Sequence, residues 1–382
     1  MIIATFFAIL CLCSASIALA QETEFNECEK ASESKFKLLA IPFYDPSIET
    51  GVSVIPMYSF YVNEEQQSPS TVSATFTYTQ SGSYNIRGNT DILLEKFRLV
   101  SDFGFNYSDI DVQFFDRARH KAETVQEEVN FFGDAYYALS DTLFVGVGVS
   151  YQSEKYSGKT QRDTLQLIAA NRCLSYCTDI GASVSLLKDT REHYYYPHRG
   201  YMLSMTYETH AEWLGNDKDE TYSLLDTDAR YYYSINDDKN HVIAARWLNR
   251  YLLDSDNAPS SALSLYGRQG RDVQRGFIVG DTMPAANITS VELEYRHQIT
   301  GTCNRHLDKM TIVALTGAGK SYGRLANPRQ KESNFQEAET LSMVGLGLRY
   351  RVLDEERINV RMDVTYNNSQ EWLVYFGLGE TI

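Results

Sequence analysis

The sequence predicts an all-β fold, a transmembrane antiparallel β-barrel of about 16 strands, from three observations. Apolar and polar residues alternate with a period of two through most of the chain, and helical stripes are scarce. The alternating segments run about 10 to 14 residues, longer than ordinary globular strands and long enough to cross a tilted bilayer path. The longest connections follow the fifth, seventh, eleventh and thirteenth segments, so they share one end of an up-and-down barrel, as extracellular loops do.

Composition excludes other classes of protein. The chain has 382 residues, enough for one large or two average domains, and its net charge of −15 argues against nucleic-acid binding. After residue 20 no apolar run approaches the roughly 20 residues that a transmembrane helix needs. A membrane protein built on helices is therefore excluded.

The first 20 residues are typical of a secretory signal peptide. They form an apolar core that ends in Ala18-Leu19-Ala20, a small-residue cleavage site, although no Lys or Arg precedes the core. A buried N-terminal helix is the alternative. We therefore expect a signal peptide at 1–20, a short periplasmic segment at 21–34 and the barrel at 35–382.

Four cysteines would remain after cleavage: Cys28, Cys173, Cys177 and Cys303. Four residues of extended strand separate Cα atoms by about 13 Å, beyond the reach of a disulfide. Cys173 and Cys177 could therefore be bridged only across a bend. A loop disulfide and free thiols both stay open, and no further ligands cluster nearby to suggest a metal site.

Sixteen segments are predicted as strands, in this order: 35–44, 51–62, 71–80, 83–95, 97–108, 124–139, 142–155, 177–188, 200–213, 222–235, 240–253, 287–299, 308–320, 341–353, 356–368 and 371–382. Two connections at the end opposite the long loops, 63–70 and 189–199, are longer than tight turns. Closure of the sheet into a barrel removes the exposed edges that an open sheet of this size would leave.

The faces of these segments differ in polarity. In "ITSVELEYRHQI", residues 288–299, one face carries Val291, Leu293 and Tyr295, and the other carries Glu292 and Glu294. In a membrane barrel the apolar face contacts lipid and the charged face lines the lumen. Tyrosine and tryptophan near strand ends suit interfacial girdles: Tyr44, Trp213, Tyr251 and Trp372.

Four stretches resemble the BamA/TamA outer-membrane superfamily, the bacterial surface-antigen barrels. They are "AIPFYDPSIETGVSVIPMYSF", "KDTREHYYYPHRGYMLSMTY", "VQRGFIVGDTM" followed by "ELEYR", and "GLGLRYRV…INVRMDVTY…EWLVYFGLGETI". The second matches a D-x-R…P-x-x-G turn through Asp189, Arg191, Pro197 and Gly200. The resemblance covers about 35–382 and implies a bacterial outer-membrane location, reached with a cleaved signal peptide.

The third stretch carries the loop motif of the superfamily, Arg275, Gly276 and Phe277. The resemblance implies that this sixth extracellular loop folds into the lumen, where its arginine pairs with an acidic residue on the barrel wall. Gly276 permits a tight turn and Arg275 offers a planar, permanently charged fork. A surface loop exposed to solvent is the alternative.

The sequence departs from this family pattern on the thirteenth strand. Family members often carry an F-x-D-x-G segment there, but "ALTGAGKSYG" places Gly317 where the acid would stand. Three lumen-facing carboxylates are the alternative partners of Arg275: Glu292, Glu294 and Asp363. The chain also ends in Ile382 instead of the usual phenylalanine.

The resemblance further implies insertion or translocation of proteins, or lipids, through a lateral seam between the first and last strands. Pro42 in the first strand and Gly377 and Gly379 in the last would weaken that seam. No POTRA domain is expected between the signal and the barrel, so a separate periplasmic accessory protein would recruit substrates. The alternative is a plugged passive channel or a structural outer-membrane protein.

Other chemistry finds little support. "ALTGAGKS", residues 314–321, resembles a phosphate-binding loop, but no helix pattern follows it. No histidine spacing suggests zinc and no G-x-S-x-G elbow occurs, so no catalytic residue, metal or cofactor is predicted. Lumen arginines could form a selectivity lining, dock a loop or be solvated: Arg246, Arg250, Arg349, Arg351 and Arg361. The expected partners are outer-membrane lipid and the accessory protein, with no nucleic acid and the oligomeric state left open.

Overall fold

The computed structural model describes twelve segments of the chain: 35–45, 49–62, 69–112, 122–169, 172–235, 239–253, 258–264, 266–269, 272–278, 284–325, 333–354 and 357–382. The predicted signal peptide at 1–20, the segment 21–34 and Cys28 lie outside these residues.

The described barrel strands are β1 (Lys35–Asp45), β2 (Glu49–Phe60), β3 (Ser70–Thr79), β4 (Tyr84–Leu93), β5 (Phe97–Val112), β6 (Ala122–Ser140), β7 (Leu143–Gly158), β8 (Cys177–Asp189), β9 (Gly200–His210), β10 (Tyr222–Ser234), β11 (His241–Leu253), β12 (Ala285–Gln298), β13 (Met310–Leu325), β14 (Leu341–Leu353), β15 (Ile358–Asn367) and β16 (Trp372–Leu378).

These strands form a closed barrel in which each pairs with its sequence neighbours and β1 pairs with β16. All the pairings are antiparallel, and the predicted barrel of about 16 strands is confirmed. Connections after odd-numbered strands lie at one end, here called the loop end, and those after even-numbered strands lie at the turn end. The three longest connections, at 159–176, 254–284 and 326–340, lie at the loop end as the sequence indicated, whereas the fourth, 113–121, is shorter than 299–309 at the turn end because β5 and β6 extend further than predicted.

The two faces of the wall are divided as the alternation predicts for a membrane barrel. On β7, Val147 and Val149 are 63% and 54% exposed on the outer face. On β12, Glu292 and Glu294 are 5% and 1% exposed, whereas Val291, the residue before Glu292, is exposed on the outer face. Because successive side chains of a strand point to opposite faces, the apolar set faces outward and the charged set faces the lumen.

Helices are few in the described part of the chain. Helix α1 (Gln161–Ala169) lies in the β7–β8 connection, and helix α2 (Arg305–Asp308) lies in the β12–β13 connection. None of the described helices combines the length and the apolar character needed to cross a bilayer. Cys173 and Cys177 form a disulfide across a bend after α1, with Cα atoms 5.8 Å apart, while Cys303 is free and exposed.

The last strand is shorter than the predicted span of 371–382, which is wrong at its end. Strand β16 ends at Leu378, and residues 380–382 leave the wall and enter the lumen. Ile382 is 2% exposed and packs against Tyr232 and Ala244 on the opposite side of the lumen. Hydrogen bonds from lumen arginines to the backbone of this segment draw it inward, and strand alternation carries no signal for such contacts.

Candidate functional site in the barrel lumen

The β11–β12 connection brings a loop tip, residues 274–278, against the inner wall. A short hairpin of Arg268–Gln269 with Asp272–Val273 precedes the tip. The Gln274 amide donates to the Gly267 carbonyl at 2.6 Å, and the Gly267 amide donates to Gln274 Oε1 at 3.2 Å. These bonds fold the connection back on itself so that the next residue points into the wall.

Arg275 lies at the centre of the site and is 1% exposed. Its Nη2 is 2.8 Å from Glu292 Oε2, and its Nη1 is 2.6 Å from Glu294 Oε1 and 3.3 Å from Asp363 Oδ2. Its backbone amide donates to Glu292 Oε1 at 3.0 Å. The structure therefore brings the loop arginine together with the three carboxylates that the sequence offered as alternatives.

The two residues after Arg275 hold the tip in place. Gly276 has φ +90, and a Cβ there would lie 2.6 Å from Met343 Cβ, so this turn needs glycine. The Gly276 amide donates to the Tyr375 hydroxyl at 3.1 Å, and its carbonyl accepts from Asn367 Nδ2 at 2.8 Å. Phe277 is 3% exposed and meets the Tyr266 ring edge-on at 5.4 Å.

Gly317 and Glu292 are direct cross-strand partners on β13 and β12. A Cβ on Gly317 would lie 3.1 Å from Glu292 Cγ and 2.8 Å from Met343 Cε. The missing side chain on β13 thus leaves the space that the Glu292 side chain occupies. The carboxylate that the superfamily pattern places on one strand is supplied here by its neighbour.

A network of buried charges extends from Arg275 towards the turn end. Arg296 Nε is 2.7 Å from Glu294 Oε2, while Arg349 contacts Asp363 at 2.6 Å and Glu380 at 2.7 Å. Arg349 is 0% exposed, so the interpretation of the lumen arginines as solvated wall is wrong for this residue. A desolvated ion cluster of this kind is stable only while every charge keeps its partners.

Other lumen arginines make separate pairs. Arg246 contacts Asp228 at 2.9 Å and donates to the Thr381 carbonyl at 3.1 Å. Arg250 contacts Asp226 at 3.3 Å, and both of these side chains are about one third exposed. Arg246 therefore belongs to the set that holds residues 380–382, whereas Arg250 lies in the more open part of the lumen.

The open part of the lumen is a polar cavity of about 940 Å³. Its lining includes acidic and basic side chains and one histidine that stacks on Tyr222 at 4.2 Å: Asp179, Glu208, His210, Asp226, Asp228 and Arg250. The lumen therefore has two parts. The loop tip and the charge network occupy one part with tightly paired polar groups, and the cavity is the other part, where polar side chains contact solvent.

The seam between β1 and β16 is the thinnest part of the described sheet. One register pair, Tyr44↔Phe376, joins them among the described residues, whereas β1 and β2 pair from Lys35↔Ser59 to Asp45↔Glu49. Pro42 lies in β1 opposite Val52, and Gly377 lies in β16. Gly379 follows β16 instead of lying within it, and its amide donates to the Asn359 carbonyl at 2.8 Å.

Within the described part of the chain, no three His, Cys, Asp or Glu residues are placed to hold a metal ion. Residues 314–321 lie inside strand β13, which continues to Leu325, so they do not form a loop at a helix N-terminus. The phosphate-binding geometry is therefore missing from this stretch.

Two parts of the site escaped the sequence. The alternation predicts residues 380–382 as part of the last strand, whereas in the structure Glu380 is a partner of Arg349. The sequence indicates the 189–199 connection by its length and by the D-x-R…P-x-x-G motif and assigns Tyr196 no role, yet Tyr196 is 2% exposed and lies under Arg296 at 4.7 Å. The run of three tyrosines, 194–196, in a connection was the available signal, because exposed turns rarely concentrate aromatic residues.

The sequence of this chain matches a known protein family over most of its length. Residues 41–381 match the model of the Omp85 superfamily domain. No curated protein sequence matches that of this chain.

Solved structures with the same fold include BamA from Haemophilus ducreyi lacking POTRA domains 1–3, at 10% identity and a TM-score of 0.60, covering 92% of this chain and 71% of that one. CdiB from Acinetobacter baumannii has 10% identity and a TM-score of 0.56, covering 91% and 59%. CdiB from Escherichia coli has 10% identity and a TM-score of 0.55, covering 92% and 68%. The chain thus spans well under the full length of these relatives, and the likeness concerns the fold.

Proposed function

The chain belongs to the Omp85 superfamily, and we propose that it inserts or translocates proteins, or lipids, at the outer membrane through the seam between β1 and β16. The family and its barrel fold imply the bacterial outer membrane as its location. The observation that carries the proposal is that, among the described residues, one register pair, Tyr44↔Phe376, joins the strands of the seam, whereas β2 pairs with β1 along the whole length of β1.

A weakly paired seam suits this function for a physical reason. Each missing ladder bond leaves backbone donors and acceptors that an incoming strand can satisfy by β-augmentation. Pro42 has no amide hydrogen to contribute, and Gly377 has no side chain to pack. A substrate strand would therefore find unpaired backbone at β1 while the rest of the barrel stays closed.

The loop tip contributes by bracing the last strands of the wall, including β16 on one side of the seam. Arg275 contacts carboxylates on β12 and β15, and the Gly276 amide donates a hydrogen bond to the Tyr375 hydroxyl on β16. The tip thus joins strands on both sides of β13 and β14. We infer that it fixes the last strands while β1 moves away from β16.

A disulfide across the seam tests this mechanism. Tyr44→Cys with Phe376→Cys joins direct register partners, whose Cα separation in an antiparallel pair is within disulfide reach. Ala40→Cys with Val54→Cys, in the β1–β2 ladder, is the matched control. Both pairs are made with Cys28→Ser and Cys303→Ser to remove other thiols.

The assay is insertion of an unfolded eight-stranded outer-membrane barrel into vesicles that contain each variant. The oxidised seam variant should lose acceleration of insertion and regain it on reduction, while the oxidised control keeps it. Full acceleration with the seam closed would eliminate the lateral route.

The second candidate, a plugged passive channel, is favoured by the loop tip inside the lumen. Planar-bilayer conductance before and after deletion of 268–286 distinguishes the two. A large rise on deletion, together with no insertion activity in the vesicle assay, would support the channel. Absence of conductance in both forms would argue against it.

A further inference from the structure

The β8–β9 connection at the turn end, residues 190–199, is here called the strap. It has no regular secondary structure, yet Tyr196 is 2% and His198 is 5% exposed. Gly200, with φ +101, closes its base, because a Cβ there would lie 2.4 Å from the Thr190 carbonyl oxygen. Burial of this degree requires the strap to lie across the lumen mouth instead of extending away from it.

The strap contacts walls on nearly opposite sides of the barrel. On one side the Tyr194 ring lies 5.1 Å from the Arg98 guanidinium of β5. On the other, Arg357 in the β14–β15 connection donates to Glu192 Oε1 at 3.0 Å and to the Tyr196 carbonyl at 3.4 Å. In a closed barrel of this strand order, positions eight strands apart face each other, so β5 faces β13 and its neighbours.

The middle of the strap rests on the charge network. The Tyr196 ring lies 4.7 Å from Arg296 and 5.7 Å from Arg351, within range of cation–π attraction. The Ser234 hydroxyl donates to the His198 carbonyl at 3.0 Å. The strap therefore spans the full width of the turn end and is held at both sides and at its centre.

The ion pair that anchors the strap is weaker than the ion pairs that anchor the loop tip. Arg357 and Glu192 are 24% and 20% exposed, and partly solvated pairs of this sort contribute little to stability. Arg357 also has φ +49, a conformation that costs free energy for any residue but glycine. The Arg275 pairs of the loop tip, in contrast, are fully buried. Of the strap and the loop tip, the strap is the easier to release.

We propose that the strap gates the turn end of the lumen, and that separation of Arg357 from Glu192 opens it. This axial gate is independent of the lateral seam. It controls passage of ions and small solutes along the barrel axis, whereas the seam concerns entry of a strand into the wall.

Single-channel conductance in KCl is the test, on the full chain and on a chain that lacks 268–286, so that the loop tip does not mask the strap. Arg357→Ala should raise conductance several-fold in the loop-deleted chain. Lys309→Ala is the matched control, because Lys309 forms its ion pair with Asp354, at 2.7 Å, at the same end of the barrel. Each variant is first checked for heat-modifiable migration, and Arg275→Ala replaces the deletion if the deleted chain does not fold.

A cross-link supplies the reverse experiment. Because Glu192 and Arg357 meet through the ends of two long side chains, Glu192→Cys with Arg357→Cys is joined by a cleavable bifunctional thiol reagent. Conductance should be low when joined and should rise on cleavage. Equal conductance in the joined and cleaved states, or no rise with Arg357→Ala in the loop-deleted chain, would overturn the proposal.

Discussion

At the scale of single residues, the site depends on where one carboxylate stands. Glu292 contacts Arg275 from β12, and its cross-strand partner on β13 is Gly317. Paired residues on adjacent strands share one small region of the inner wall. An acidic residue on either strand of such a pair therefore places its carboxylate in nearly the same position. A glycine at the family position is therefore compatible with a bound loop arginine.

This exchange predicts a rescue. Glu292→Ala leaves Arg275 with fewer partners in a fully desolvated site and should destabilise the barrel by about 3–5 kcal/mol. Adding Gly317→Asp should recover part of that loss, since the removed Glu292 side chain frees the space beside position 317. Urea unfolding in lipid vesicles, followed by tryptophan fluorescence, measures both changes.

Glu212→Gln, at an exposed position near the loop end, is the control and should change little. A double variant no more stable than Glu292→Ala would show that the β12 position itself is required.

The strap carries a second residue-scale prediction, on pH. Burial tends to raise the pKa of Glu192, but hydrogen bonds from the His198 ring, the His198 amide and the Arg199 amide outweigh it and lower the pKa to about 2 from 4.5. The ionised carboxylate therefore stabilises the strap fully above pH 4.5, and this contribution is lost as the pH falls towards 2.

Pepsin, which cuts beside aromatic residues and works in acid, can report this loss. Cleavage at 194–196 in the wild-type strap should stay slow at pH 4.5 and accelerate as the pH approaches 2, whereas Glu192→Gln should be cut rapidly at both. Identical cleavage of the two proteins at pH 4.5 would contradict the assignment.

At the scale of elements, the ladders differ in length. Strands β12 and β13 pair from Ala285↔Leu325 to Gln298↔Thr311, while β1 and β16 share one register pair among the described residues. Local opening needs least free energy where few hydrogen bonds and little packing must be broken. The seam is thus the part of the wall that we expect to open first.

Hydrogen exchange tests this directly. Backbone amides of β16 that face β1 should exchange much faster than those in the β12–β13 ladder of the same sample, which serves as an internal control. Equal protection of the two sets would mean that the seam is closed by contacts beyond the Tyr44↔Phe376 pair.

Element boundaries also show where strand patterns stop being informative. The starts of β7, β8 and β14 lie within one residue of the starts that the alternation predicts. The end of β16 does not match its prediction. Hydrogen bonds from arginines across the lumen, and not the pleat of a strand, set the positions of residues 380–382. Alternation describes a strand only while the chain remains in the wall.

At the scale of the whole molecule, the outer surface is apolar over most of the barrel. Leu346 is 66%, Val147 is 63% and Val184 is 57% exposed, each on an outward face. Soluble monomers do not present continuous apolar surface of this extent. In a globular protein the core removes apolar side chains from water. Here the acyl chains around the wall remove the outward-facing apolar side chains from water.

A whole-molecule prediction follows for extraction. The protein should remain with membranes in high salt and alkaline carbonate, enter solution only with detergent, and migrate faster on gels before boiling than after. Release by carbonate without detergent would contradict a barrel surrounded by lipid.

The sequence by itself determined the number of strands, which face of each meets lipid, and which end bears the long loops. These follow from the pleat, which places alternate side chains on opposite faces wherever a strand forms. A resemblance in a few short motifs selected Arg275, and the alternation offered Glu292, Glu294 and Asp363 as its alternative partners.

Only the tertiary structure decided how these groups meet. Arg275 and Asp363 lie 88 positions apart, and closure of the barrel sets the height at which each side chain stands in the lumen. The inward course of residues 380–382 and the strap across the turn end depend on the same condition. A local pattern specifies the face of a strand, but contacts across a lumen exist only once all strands have closed around it.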